Sequence, residues 1–398
     1  MAEQTEIKGV KGFKFASRAA GIKRSGKPDL TLIYSDVAAR CAGVFTTNKV
    51  VAAPLVVSQP RVRDGLCQAV LVNSGNANAC TGEQGLQDAL RCSALTAQAL
   101  GIGEELVAVS STGVIGQVLP MEKFEGHIPG LVTELHPDGA LQSAEAIMTT
   151  DAFVKIAGRR VADPGYTLLG IAKGAGMIHP NMATMLGFVL TDALVEPALL
   201  EEALRSGVDQ SFNSITVDRD TSTNDMVLLL ANGQAGNAEI TRGSEASKVF
   251  TAQLQAVLLD LAKMIVRDGE GATKLVQIHV QGARDGADAR KAAYSVATSN
   301  LVKTAFFGED ANWGRIIAAV GYSGADVDPN QVEIRFGAVP VVQAGISTGK
   351  ELEEQATAVL KTAEFTVTID LHLGPGEADY YTSDLTYDYV RINGSYRS

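Results

Sequence analysis

The stretch KGAGMIHPNMATMLGFVLTD, from Lys173 to Asp192, constrains the fold most. Met185, Leu186, Gly187, Phe188, Val189 and Leu190 form an apolar run bounded by turn residues. A run that short reads as a buried strand. Gly174, Ala175, Gly176 and Pro180 precede it as a loop. Thr184 therefore stands where a glycine-rich loop enters a buried strand. A rigid element holds such a residue while the loop leaves it reachable, which suits a nucleophile. A lone threonine at a strand entry more often makes one local hydrogen bond, because threonine nucleophiles are rare.

A chain of 398 residues is long for one core, so two domains or lobes are expected. Its composition, 46% hydrophobic and 20% charged, is that of a soluble globular protein. A formal net charge of −11 makes it a poor nucleic-acid or anionic-membrane binder. The first residues, MAEQTEIKGVKGFKF, lack the apolar core of a secretory signal. No apolar run approaches a transmembrane length. A cytoplasmic protein with reduced thiols at Cys41, Cys67, Cys80 and Cys92 is the expectation. The five histidines, His179 among them, are scattered, and no spacing suggests a metal site.

Between Asp29 and Val72 the segments DLTLIYS, AGVFTTN, APLVVS and AVLV read as short strands. Asn73–Gly82 reads as a polar loop. Gln84–Leu100 has helical spacing and Gly101 as its C-cap. Leu106–Val109 reads as a strand running into the loop Ser110–Gly116, where successive backbone N–H groups can build an anion-binding concavity. Tyr166–Ile171 is a strand leading to Lys173, Leu199–Val208 a helix, and Ala246–Val266 a long amphipathic helix. NSITVDRDTSTND, from Asn213 to Asp225, reads as a polar loop, since it lacks the glycine and terminal glutamate of a calcium loop. Glu270 lies between two glycines ahead of the strand Leu275–Val280. The end, SDLTYDYVRINGSYRS, reads as a strand and a short tail. Two decoys drop out. Gly174-Ala175-Gly176 lacks the third glycine of a dinucleotide loop, and Gly349-Lys350 lacks the flanks of a P-loop.

PNMATML, STGVIG, NSGNAN, TTD, DGEGATK and the terminal residues together resemble the ornithine acetyltransferase (glutamate N-acetyltransferase) family. The resemblance runs from GVFTTN near Gly43 to Ser398. It implies a layered α/β sandwich that looks like the N-terminal nucleophile hydrolases but is connected differently. It implies self-cleavage between Ala183 and Thr184, giving an alpha chain 1–183 and a beta chain 184–398, two of each in the assembly. Thr184 would be the nucleophile, and Thr112 and Gly113 the oxyanion hole. Thr150, Lys173, Thr184, Glu270, Asn393 and Ser398 would meet substrate, with Thr149 as the neighbouring alternative to Thr150. The implied reaction moves acetyl from N-acetylornithine to glutamate without a cofactor. Acetyl-CoA is left open as a second donor.

Cleavage would also supply the base. Before it the Thr184 nitrogen is an amide; afterwards it is an α-amino group with an unperturbed pKa of about 7.7–8. His179 is the other base candidate near Thr184. Two competing readings are a self-cleaving aminopeptidase, which shares the nucleophile but hydrolyses, and a binding protein that has lost the chemistry. The intact Thr184, Thr112 and Glu270 argue against the second.

Overall fold

The apolar run after Thr184 becomes the strand Leu186–Thr191, with all six residues buried. The computed structural model describes residues 9–179 and 185–394. In chain order the first nine strands are β1 (Phe13–Arg18), β2 (Leu30–Phe45), β3 (Leu66–Asn76), β4 (Val107–Val114), β5 (Lys155–Val161), β6 (Tyr166–Lys173), β7 (Leu186–Thr191), β8 (Ile215–Thr216) and β9 (Met226–Ala231). All but β8 form one sheet in the order β4-β3-β2-β9-β7-β6-β5, with β1 beside β2. The pairs β3/β4 and β7/β9 are parallel. The other pairs are antiparallel.

The central strands are apolar throughout because both faces are covered. On one face Leu186, Phe188 and Leu190 cluster with Ala144 and Ile147 of the helix Ala140–Ile147. On the other, Gly170 admits the helix Glu245–Arg267 so closely that a Cβ there would lie 2.7 Å from Leu261 Cδ1. By length and composition that helix is apolar enough to cross a membrane, the one such helix among the described residues. Here Leu254, Val257, Leu258 and Leu261 are fully buried in the fold.

The second sheet contains β10 (Leu275–Ala283), β11 (Glu333–Phe336), β12 (Val339–Gln343), β13 (Ile346–Ser347), β14 (Glu364–Asp370) and β15 (Gly376–Ser383). Its order is β13-β12-β11-β14-β10-β15-β8. Here the burial alternates. Val276, Ile278 and Val280 of β10 and Phe365, Val367 and Ile369 of β14 share a core with Ala289 and Ala293 of the helix Gly286–Ala297 and Ala356 and Leu360 of the helix Lys350–Leu360. Gln277 and His279 point the other way and are half-buried. The period of two follows from covering one face only.

The described residues fall into two units. One comprises 9–174, 185–213 and 220–262; the other comprises 175–179, 214–219 and 263–394. The Ala183–Thr184 bond lies outside the described residues. β7 and β9 follow it, yet both lie in the first sheet between β2 and β6.

Four sequence expectations need correction. DLTLIYS and AGVF belong to one 16-residue strand, β2. APLVVS is no strand but the start of the helix Ala53–Arg63, with Pro54 in its first turn, where the missing N–H costs nothing. NSGN and SSTGV are the ends of β3 and β4. Buried polar side chains there pair with one another and with backbone: Ser111 donates to Asn73 Oδ1 (2.6 Å) and Asn73 donates to the Asn76 carbonyl (2.9 Å), while Ser110 Oγ is buried with no hydrogen-bond partner among the described residues. The tail after β15 is the helix Tyr387–Gly394, whose first turn is capped by the Thr386 hydroxyl accepting from Tyr389 N–H (3.2 Å).

Candidate active site

In the first unit the site residues gather at the ends of β4 and β6. Thr112 and Gly113 close the parallel ladder, paired with Ser74 and Gly75. Gly113 has φ +136°, and a Cβ there would lie 2.3 Å from the Gly75 carbonyl carbon. Only glycine fits. Lys173, the last residue of β6, is buried, and its Nζ donates to Thr112 Oγ1 at 3.3 Å. An ammonium has no lone pair, so the threonine oxygen must accept. The Thr112 hydroxyl proton is then free to point to another acceptor. That is the polarity an oxyanion donor needs.

Asp151 completes this cluster. TTD drew notice for its threonines, but its aspartate organises the loop. Asp151 accepts from Lys155 Nζ (2.7 Å), Gly174 N–H (2.7 Å) and Thr149 N–H (2.9 Å). It thus ties the Thr149–Thr150 turn to the exit of β6. Burial would raise its pKa, but the Lys173 and Lys155 ammonium groups outweigh that and hold the carboxyl below its usual range. Thr150 is exposed and Thr149 half-buried, one and two residues before this anchor. The lysine four residues after the aspartate of TTD was the available signal.

In the second unit the structure brings Glu270 and Asn393 together. Glu270 N–H donates to the Ala175 carbonyl (2.9 Å), and its carboxylate lies so near Gly176 that a Cβ there would be 2.4 Å from it. Asn393 Nδ2 donates to Glu270 Oε2 at 2.8 Å. Thr386 holds the carbonyl of Gly271 (2.7 Å), and Asp384 accepts from Thr273 N–H (2.8 Å) and Lys274 N–H (3.1 Å). The DGEGATK loop and the terminal helix are therefore one assembly.

His179, the rival base, lies with Nδ1 3.4 Å from Thr216 Oγ1 and Nε2 3.3 Å from the Tyr294 hydroxyl. Ala183, Thr184 and Ser398 lie outside the described residues. Among the described residues no group of three or more His, Cys, Asp and Glu could hold a metal ion. Cys41, Cys67, Cys80 and Cys92 are free thiols.

A family model described as the ArgJ family matches residues 14–398. The "Arginine biosynthesis bifunctional protein ArgJ" of Syntrophotalea carbinolica is 66% identical over 390 residues, covering 98% of this chain and 99% of the relative. Its counterpart in Geobacter sulfurreducens is 56% identical over 391 residues, covering 98% and 100%. A crystal structure of the protein of that name from Bacillus halodurans is 45% identical with a TM-score of 0.51, covering 52% of this chain and 98% of the solved one. With that match over nearly its whole length, the chain belongs to the ArgJ family.

Proposed function

We propose that this chain is a self-processing acetyltransferase of arginine biosynthesis. It cuts its own Ala183–Thr184 bond, and the freed Thr184 carries acetyl from N-acetylornithine to glutamate. In the first step the Thr184 hydroxyl attacks the Ala183 carbonyl. The acyl group passes from nitrogen to oxygen, and water hydrolyses the ester. The α-amino group so released then takes the proton of its own hydroxyl when N-acetylornithine binds. Ornithine leaves, acetyl stays on Thr184 oxygen, and glutamate nitrogen collects it.

The observation that carries this reading is the Lys173–Thr112 contact beside Gly113. Lys173 is the ladder partner of Leu186. Thr184 precedes Leu186 by two residues in the sequence. A polarised hydroxyl and a forced glycine beside Lys173 support the reading of Thr112 and Gly113 as the oxyanion donors. One oxyanion donor is worth roughly 2.7–4 kcal/mol. Glu270 and Asn393 supply an anion and an amide for substrate polar groups. Lys173 suits the α-carboxylate common to both substrates.

The lengths of the relatives favour processing. The curated Syntrophotalea relative spans 98% of this chain, whereas 98% of the solved Bacillus chain aligns with only 52% of it. A half-length chain is what a cut near residue 183 would leave. The word "bifunctional" in the relatives' names supports acetyl-CoA as a second donor to glutamate.

The test is purified protein given glutamate with each acetyl donor in turn. N-acetylglutamate should form from N-acetylornithine with equimolar ornithine. Thr184→Ala should remain one chain and make none. Release of free acetate instead of N-acetylglutamate would identify a hydrolase.

A further inference from the structure

The segment before β9 reads as a plain polar loop, yet its last two residues are almost fully buried: Asn224 is 4% and Asp225 3% exposed. Asn224 Nδ2 donates to the carbonyls of Ala77 (2.6 Å) and Ser111 (2.9 Å), while its Oδ1 accepts from Thr223 (2.6 Å). Both amide hydrogens are thereby committed. Ser111 is the residue before Thr112, and Ala77 follows the end of β3. Asn224 thus fixes the oxyanion strand from its open side.

Asp225 acts on the other strand. Its carboxyl accepts from the backbone N–H of Met185, and the Met185 carbonyl in turn accepts from Met226 N–H (3.1 Å). Met185 N–H belongs to the peptide bond that leaves Thr184. Ser222 holds the same carboxyl through its side chain and backbone. Asp225 Oδ2 is buried and accepts no hydrogen bond among the described residues.

We propose that Asn224 and Asp225 are the positioning pair that sets the nucleophile against its oxyanion donors, Asn224 through Ser111 and Asp225 as a hydrogen-bond acceptor for Met185. The inference rests on the proposed Thr184 chemistry. Lys173 from β6 is the cation facing Asp225, and it is shared with Asp151; Met185 N–H and Ser222 supply the rest. Burial outweighs all of these and raises the carboxyl well above its usual range.

The test compares Asp225→Asn, Asp225→Ala and Asn224→Ala for rate of precursor cleavage, kcat, KM, pH profile and Tm. An amide oxygen can accept from Met185 N–H as a carboxyl oxygen does. Asp225→Asn should therefore cleave and transfer within a few-fold of wild type, with its acid limb unmoved. Asp225→Ala and Asn224→Ala should lose about 10²-fold in kcat, with KM little changed, the size of effect a misplacement of about 1 Å produces. If Asp225→Ala fails to fold, Asp225→Asn and Asn224→Ala decide alone. An Asp225→Asn enzyme as slow as the alanine variant, or one with a shifted acid limb, would show that Asp225 works through its charge and overturn the proposal. Wild-type rates in Asn224→Ala would overturn it too. A wild-type protein that stays uncut and inactive would instead defeat the threonine mechanism itself.

Discussion

Gly113 is the residue whose identity the fold dictates most narrowly. Gly113→Ala places a Cβ 2.3 Å from the Gly75 carbonyl carbon at φ +136°. The variant should lose roughly 2–4 kcal/mol of stability in urea unfolding. Its transfer activity should fall further than that loss explains, since Thr112 is displaced with it. A second prediction concerns the base. The acid limb of kcat/KM should lie at or below about 7.7–8, because in the proposed site the Lys173 ammonium disfavours a second positive charge on the Thr184 amine. Asp151 already faces both Lys155 and Lys173. His179→Ala should keep that limb, since the imidazole is engaged by Thr216 and Tyr294. An acid limb that vanishes in a normally processed His179→Ala enzyme would make His179 the base. Thr112, Gly113, Lys173, Glu270 and Asn393 were all legible from motif resemblance. Asp151, Asn224 and Asp225 were not, because short polar residues in a row look like solvent-exposed turn until their partners are known.

At the scale of elements, the second unit has two devices that sequence patterning concealed. The terminal helix Tyr387–Gly394 has no buried residue among those described, so hydrophobic period gave no signal, and only the Thr386 cap marked its start. Deleting residues 393–398 should leave Tm nearly unchanged, since Asn393 and Gly394 are exposed, while transfer falls sharply with loss of the Asn393–Glu270 bond. Unchanged kinetics would reduce the tail to a chain end. The block SNLVKTAFFGEDANWGRII resists a chemical reading because it is architectural. Ser299 and Asn312 cap its two helices, and Trp313 Nε1 donates to Glu353 (2.8 Å). Lys303 is buried with Nζ donating to Thr382 Oγ1 (2.9 Å) and Ser383 Oγ (3.1 Å) at the end of β15. Burial pushes Lys303 down to about 7, against the pull of Asp384 and Asp218. Between that value and the unfolded pKa of about 10.4 the unfolded chain binds more protons, so this group's contribution to stability rises with pH across the window. Lys303→Met should flatten the rise in urea stability from pH 7 to 10 relative to wild type. An unaltered slope would mean that Lys303 stays charged in the fold.

Over the whole molecule, the layered α/β architecture was legible through the family resemblance, and the unbroken apolar runs of the central strands and the period-two alternation of the second sheet agree with it. What could not be read was how the chain is shared out. The first sheet takes β7 and β9 from beyond residue 184, so β7 lies between β6 and β9 whether or not the bond at 183 is intact. A cut there leaves the ladder whole, and the two chains should travel together until denatured. The most direct measurement is the intact mass of the purified protein, denatured after brief mixing with N-acetylornithine in the absence of glutamate. The account predicts two chains, the second beginning at Thr184 and heavier by one acetyl group, which glutamate then removes. A single uncut chain that transfers acetyl at full rate would contradict it.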